Sequence, residues 1–277
     1  MVKIIDTHCH PYLNKIKNKD EIINNFFSQD WEAMIVIWTN MDSNNEVLEL
    51  TKKHSNIYAT IWIHPCDIAE LEIEETISKM EKLYLNNKDK IIWIWECWLD
   101  YYWLIKDLED SGLNAEEKQK IIEKTKEKQK LFFIKQIELA KKINLPIIIH
   151  NRDTKEDVFK ILEETWFKNF IFHCYSEDLE YAKKLIKLSP QCKISFSGIV
   201  TFNSAKEVQE TARNIPIENI IAETDSPYLT PTPFRWKEEN EPIFTKYVIE
   251  KIAELRWEKI EFIAEKILKN SKDFFKI

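Results

Sequence analysis

Apolar residues recur along this chain in two alternating rhythms. Short runs dominated by isoleucine, valine and phenylalanine predict eight strands: Lys3–His8, Ala33–Trp38, Ile57–His64, Ile91–Glu96, Pro146–His150, Phe170–His173, Lys193–Ser197 and Ile220–Asp225. Between them, apolar positions three and four residues apart predict helices over Glu72–Leu85, Glu127–Ile143, Lys155–Thr165, Glu177–Leu188 and Ala205–Asn214, with a helical tail from Ile243 to Phe275. Strands that alternate with helices pair in parallel through crossover connections. Eight such units close most simply as a (β/α)₈ TIM barrel, an α/β fold that makes residues 1–277 one domain. A doubly wound open sheet is the alternative, but no GxGxxG or GxxxxGK follows a predicted strand. The sequence shows no internal repeat and no low-complexity segment. The charged run Glu109–Lys130 reads as a solvated helix face; a nucleic-acid contact through its lysines is the weaker reading, because glutamates interleave them.

Composition narrows the function. With 44% hydrophobic and 31% charged residues the chain suits a packed globular protein. A net charge of −7 argues against a broad basic face for nucleic acid, although bound metal ions supply positive charge locally. No apolar run approaches membrane-spanning length, and Met1 leads straight into Val2-Lys3-Ile4-Ile5-Asp6, which predicts no signal peptide. Five cysteines at wide spacings, without a CxxC pair, predict reduced thiols and a cytoplasmic protein.

The chemistry gathers at strand ends. In His8-Cys9-His10 the two imidazoles lie at i and i+2, on one face of the first strand, so both can reach one ion. Glu96, His150, His173 and Asp225 end the fourth, fifth, sixth and eighth predicted strands, and His64 ends the third. Five of the six histidines thus stand at the barrel end where active sites form; only His54 lies elsewhere. Four histidines (His8, His10, His150, His173) and two carboxylates exceed the needs of one tetrahedral zinc and suit two divalent ions, Mg, Mn or Zn. Glu96, with two carboxylate oxygens, is the natural bridge, and Asp225 would ligate one ion and orient or deprotonate a metal-bound water whose hydroxide is the nucleophile. His64 is a candidate substrate contact or proton donor. Arg152, Arg235 and Lys237, on loops at the same end, are candidates for phosphate oxygens. Cys9, Cys97 and Cys174 adjoin the candidate ligands but face the other way, and read as small packing residues.

These residues carry a resemblance. Asp6-Thr7-His8-Cys9-His10, Ile63-His64-Pro65, Glu96 before Leu99-Asp100-Tyr101-Tyr102, Pro146 through Asp153, Phe172-His173-Cys174-Tyr175-Ser176 and Glu223-Thr224-Asp225-Ser226-Pro227-Tyr228-Leu229 together resemble the TatD-type metal-dependent deoxyribonucleases, in order and over nearly the whole chain. The resemblance implies a TIM-barrel relative of the amidohydrolases that binds two metals and hydrolyses phosphodiester bonds of DNA, often as a 3′-to-5′ exonuclease on single-stranded ends. His8, His10, Glu96, His150, His173 and Asp225 match the family's metal ligands. It implies a DNA substrate, and the chain shows no sign of an obligate protein partner or a membrane. Alternatives are a deacylase of mischarged tRNA, a small-molecule amidohydrolase and, outside the enzymes, an inactive metal-binding scaffold.

The departures from that family follow a rule. The chain has two glycines and ten tryptophans, where ordinary usage of about 7% glycine would give roughly 19. Tryptophan stands where the family has glycine at Trp38, Trp62, Trp93, Trp95, Trp98, Trp166, Trp236 and Trp257, whereas Trp103 fits as a true tryptophan. This pattern predicts a source that reads the UGA codon as glycine. Three indoles at 93, 95 and 98 would also crowd a pocket meant for ions and a phosphate, and overpacking costs ~1–3 kcal/mol per site. Two further departures are Glu177 in place of a family glycine and a loop Arg235–Pro242 one residue longer than the family's.

Overall fold

The computed structural model describes residues 3–13, 18–37, 44–61, 71–109 and 111–277, with only the backbone described at 44–45, 61 and 94–98. Eight parallel strands form one sheet in chain order: β1 (Ile5–Cys9), β2 (Ala33–Val36), β3 (Ile57–Ile61), β4 (Ile91–Asp100), β5 (Ile147–Arg152), β6 (Phe170–Phe172), β7 (Lys193–Phe196) and β8 (Ile220–Ala222). The sheet closes on itself beyond β8. Cys9 bridges Ser226 in parallel, the His10 N–H donates to the Ser226 carbonyl at 2.8 Å, and the Asp225 N–H donates to the His8 carbonyl at 2.9 Å. The fold is the TIM barrel that the alternation of strands and helices predicts.

Most described strand residues are buried whichever face they lie on, the inner packed in the barrel core and the outer under helices, as all-parallel sheets require. That is why the strands read as continuous apolar runs instead of alternating ones. The helices are α1 (Lys19–Phe27), α2 (Asn44–Lys53), α3 (Ile73–Asn86), α4 (Tyr101–Glu109), α5 (Ala115–Ile143), α6 (Lys155–Thr165), α7 (Leu179–Leu188), α8 (Lys206–Asn214), α9 (Thr245–Arg256) and α10 (Ile260–Phe275). The helix expected from Glu127 begins twelve residues earlier, because Asn114 and Glu117 form a reciprocal capping box. The first half of α5 is mostly solvated, as its charge predicts, and its apolar stripe Phe132, Phe133, Ile137 and Ala140 is buried. The helical tail is two helices, α9 and α10, broken at Trp257.

Backbone conformation singles out several of the tryptophans. Trp166 and Trp257 end α6 and α9 in the left-handed region at φ 54° and 57°, a position that glycine dominates because it has no Cβ to clash. Trp236 has φ 69°. All three rings are exposed, at 77%, 88% and 92%, so packing does not compensate for the backbone. Trp93, by contrast, is fully buried against Phe275, ring centroids 3.7 Å apart, with an indole N–H that finds no acceptor among the described residues. Trp38 and Trp62, like His64, lie outside the described residues, and so do the side chains of Trp95 and Trp98.

Gly198, just after β7, faces the backbone of Leu229: a Cβ there would stand 1.9 Å from the Leu229 carbonyl oxygen. Gly198→Ala therefore destabilises the fold by ~1–3 kcal/mol through overpacking. Trp257→Gly stabilises it by ~1 kcal/mol by relieving a left-handed backbone. Urea unfolding of the two variants shows shifts of opposite sign.

Candidate metal centre

β1 presents Asp6 and His8 two residues apart, and His10 follows directly after its end. The closing seam sets the segment after β8 beside them, and this brings Glu223 and Asp225 to the same mouth. Asp225 Oδ1 lies 3.1 Å from His8 Nε2 and 3.6 Å from His10 Nε2, and the two imidazole nitrogens are 3.0 Å apart. His10 Nδ1 lies 3.1 Å from the Ile37 carbonyl and donates to it, which fixes the ring and leaves Nε2 as the inward lone pair. Three donor atoms so spaced match ligands about 3.0–3.4 Å apart around one ion at metal–donor distances of ~2.1 Å.

A second group adjoins the first. His150 Nδ1 on β5 is 3.0 Å from His173 Nε2, just past β6. His173 Nδ1 is 3.4 Å from Glu223 Oε1, and the His173 ring stacks on His8 with centroids 4.3 Å apart. Glu223 is fully buried and held from two sides: the Cys174 N–H donates to Oε1 and the Ser195 hydroxyl to Oε2, both at 2.6 Å. His8, His173 and Glu223 can share an ion, as can His8, His10 and Asp225, each set having its donor atoms within 4.8 Å of one another.

The closing seam is itself a hydrogen-bonded clamp. Asp6 is fully buried and accepts from the Thr224 hydroxyl at 2.6 Å, the Thr224 N–H at 3.0 Å and the His8 N–H at 3.1 Å. Burial pushes its carboxyl up to about 8, against the pull of those three donors. Burial acts the same way on Asp225, but the nearby His8 and His10 outweigh it and hold that carboxyl well below the usual carboxylate range. Burial, and then neighbouring His173, keep His8 below its ordinary value.

The remaining sequence candidates fall at the rim or outside what is described. The Glu96 backbone lies in β4, where three steps from Ile94 to Cys97 oppose two from Ile147 to Ile149 on β5. Such a bulge re-aims a strand beside an active site. The Glu96 side chain, and His64 as a whole, are outside the described residues. Arg152 is exposed at the end of β5, with its guanidinium 3.9 Å from the Tyr102 ring centroid. Arg235 stacks over Phe202 at 3.6 Å, and Lys237 is exposed on the same segment. Sequence reasoning missed Glu223, Asp6 and Asp100, whose Oδ2 lies 3.6 Å from His150 Nε2. The two-residue spacing of Glu223 and Asp225 repeats that of His8 and His10, and it was the available signal for the first of them.

The family model described as TatD related DNase matches residues 5–276. The chain belongs to the TatD-related DNase family. This TatD chain is 35% identical over 277 residues to the uncharacterized metal-dependent hydrolase YabD of Bacillus subtilis, covering 99% of each chain. It is 33% identical to the uncharacterized metal-dependent hydrolase MG009 of Mycoplasma genitalium, again over 99% of each. Its fold matches the crystal structure of YJJV, a TatD homologue from Escherichia coli K12, with a TM-score of 0.82 at 23% identity, covering 99% of this chain and 98% of that one. Family membership together with these relatives places the chain among the metal-dependent hydrolases of the TatD family.

Thr224→Val tests the clamp. It keeps the side-chain shape but removes the donor to Asp6 Oδ2 and the acceptor for the Ser226 N–H, 3.1 Å away. The expected loss is ~1–3 kcal/mol in urea unfolding; a change below ~0.5 kcal/mol would show that the seam does not depend on this contact.

Proposed function

We propose that this TatD-family chain, as one domain spanning residues 1–277, hydrolyses phosphodiester bonds of DNA as a 3′-to-5′ exonuclease on single-stranded ends. Two divalent ions, Mg, Mn or Zn, would be held by His8, His10, Glu96, His150, His173 and Asp225, with Glu223 beside them. The observation that carries the reading is the convergence of His8, His10 and Asp225 to 3.0–3.6 Å. The donor set fits such ions, since neutral imidazole nitrogens and ionised carboxylate oxygens suit these metals, and cations offset the buried negative charge.

When bound, the ions supply charge that neutralises a phosphate in transit and lowers the pKa of a water toward ~7. The residues do the rest. Asp225 would ligate one ion and orient or deprotonate the attacking water. Arg152, Arg235 and Lys237 offer positive charge at the rim for phosphate oxygens, and His64 is the fourth substrate contact of this reading. No helix among the described residues is long and apolar enough to cross a membrane, and Cys9 and Cys192 are buried thiols without a disulfide, which supports a cytoplasmic setting.

The reading includes the tryptophans. The source decodes UGA as glycine, and positions 38, 62, 93, 95, 98, 166, 236 and 257 carry glycine in the native protein. The left-handed, exposed backbones of Trp166, Trp236 and Trp257 support this, since glycine occupies those conformations without cost.

An end-labelled single-stranded oligonucleotide incubated with Mg²⁺ or Mn²⁺ is expected to shorten stepwise, and Glu96→Ala and Asp225→Ala are expected to slow this by ~10²-fold or more. Intact metal binding without shortening would favour the tRNA deacylase, the small-molecule amidohydrolase or the scaffold. Chelation is expected to lower the thermal midpoint by ~5–10 °C, with recovery on adding Mn²⁺ or Zn²⁺. The peptide mass spectrum of the native-source protein across Ile91–Lys106 is expected to show glycine at 93, 95 and 98; tryptophan there would overturn the codon reading.

A further inference from the structure

One residue links the candidate metal centre to an aromatic surface that the centre itself does not use. Asp100 ends β4, with its N–H donating to Gln129 Oε1 of α5 at 3.2 Å. Its Oδ2 lies 3.6 Å from His150 Nε2, while its Oδ1 accepts from the Trp103 N–H at 2.8 Å and so caps the first turn of α4. Trp103 is therefore tied through its N–H to the same carboxylate that reaches His150. The Tyr102 and Trp103 rings meet edge to face at 5.4 Å. Arg152, paired with Asp100 across β4 and β5, has its guanidinium carbon 3.9 Å from the Tyr102 ring centroid and 5.5 Å from that of Trp103. Lys106, one turn along α4, sits 4.8 Å from the Trp103 ring. Trp103 remains 39% exposed, and Arg152 and Lys106 are exposed too.

We propose that Trp103, beside the Arg152-covered ring of Tyr102 and flanked by Lys106, forms a subsite that stacks a nucleobase of a single-stranded substrate beside the metal centre; this rests on the nuclease reading. Aromatic faces interleaved with cations are the physical recipe for sequence-tolerant binding of single strands, with bases on the rings and phosphates on the charges. The chain's overall charge makes the need specific. At −7 it repels a polyanion at long range, so grip must come from contacts next to the chemistry. Stacking supplies that grip without net charge, and Arg152 keeps its guanidinium edge available for a phosphate while its face covers Tyr102.

The test uses the full chain with Mn²⁺ and fluorescently labelled single-stranded oligonucleotides. Dissociation constants come from anisotropy, and shortening is followed in parallel on gels. Trp103→Ala is expected to weaken binding about ten-fold, and Trp103→Phe to restore most of it. An abasic residue, moved along successive positions from the scissile end, is expected at one position to cost the native protein about ten-fold and the Trp103→Ala protein nothing further. That loss of additivity is a signature a merely structural role for Trp103 would not give. Unchanged affinity in Trp103→Ala, no binding of the oligonucleotide by the native protein, or a penalty undiminished on every abasic substrate would overturn the subsite. Stacking that survives while the native protein shortens nothing would instead sink the nuclease reading and leave a binding surface.

Discussion

Residues 218 positions apart in sequence, Asp6 and Thr224, are joined by two hydrogen bonds, and the mouth of the barrel depends on that joint. The strands are parallel, so the first and last can meet only if the whole sheet has curled round. When they meet, β1 delivers His8 and His10 and the segment after β8 delivers Glu223 and Asp225. None of these is near another in the unfolded chain except within its own pair. The clamp lies one step below the donors, in fully buried surroundings, where a polar contact is costly to leave unmade. Closure of the barrel and construction of the site are thus one event.

Among the non-glycine residues with positive φ, two sets differ in what surrounds them. Cys174 and Asp225 adopt left-handed conformations at φ 44° and 57°, directly after His173 and two residues after Glu223. Each is held by a hydrogen bond from its own N–H to a remote part of the chain, to Glu223 Oε1 at 2.6 Å and to the His8 carbonyl at 2.9 Å. That pattern belongs to sites where backbone is bent to aim a side chain. Trp166, Trp236 and Trp257 share the φ values, but their rings are largely exposed, with only Lys168 near Trp166 and Arg235 near Trp236. The first group is strain put to use. The second has the backbone conformation that glycine adopts without cost.

Much of this was legible in the sequence because parallel strands and their ligands leave strong signals. Runs such as Ile147-Ile148-Ile149 ending in His150 mark both a doubly buried strand and the end at which its chemistry sits. α6 begins and ends where its periodicity places it, at Lys155 and Thr165. Other features were hidden for physical reasons. α4 was not predicted because Tyr101-Tyr102-Trp103 reads as a continuation of the strand before it, and its start is set by a cap from Asp100. α1 and α2 carry short apolar faces that do not stand out from their polar neighbours. Glu223 was passed over because its partners, Ser195 and the Cys174 N–H, are remote in sequence, and only tertiary structure shows a carboxylate held between them.

The account's central claim is that metal ions sit where the histidines converge, and anomalous diffraction from crystals grown with Mn²⁺ or Zn²⁺ tests it most directly. The account predicts one anomalous peak within bonding distance of His8 Nε2, His10 Nε2 and Asp225 Oδ1, and a second beside His150 and His173. Peaks absent from this mouth, or found only at surface carboxylates, would contradict it.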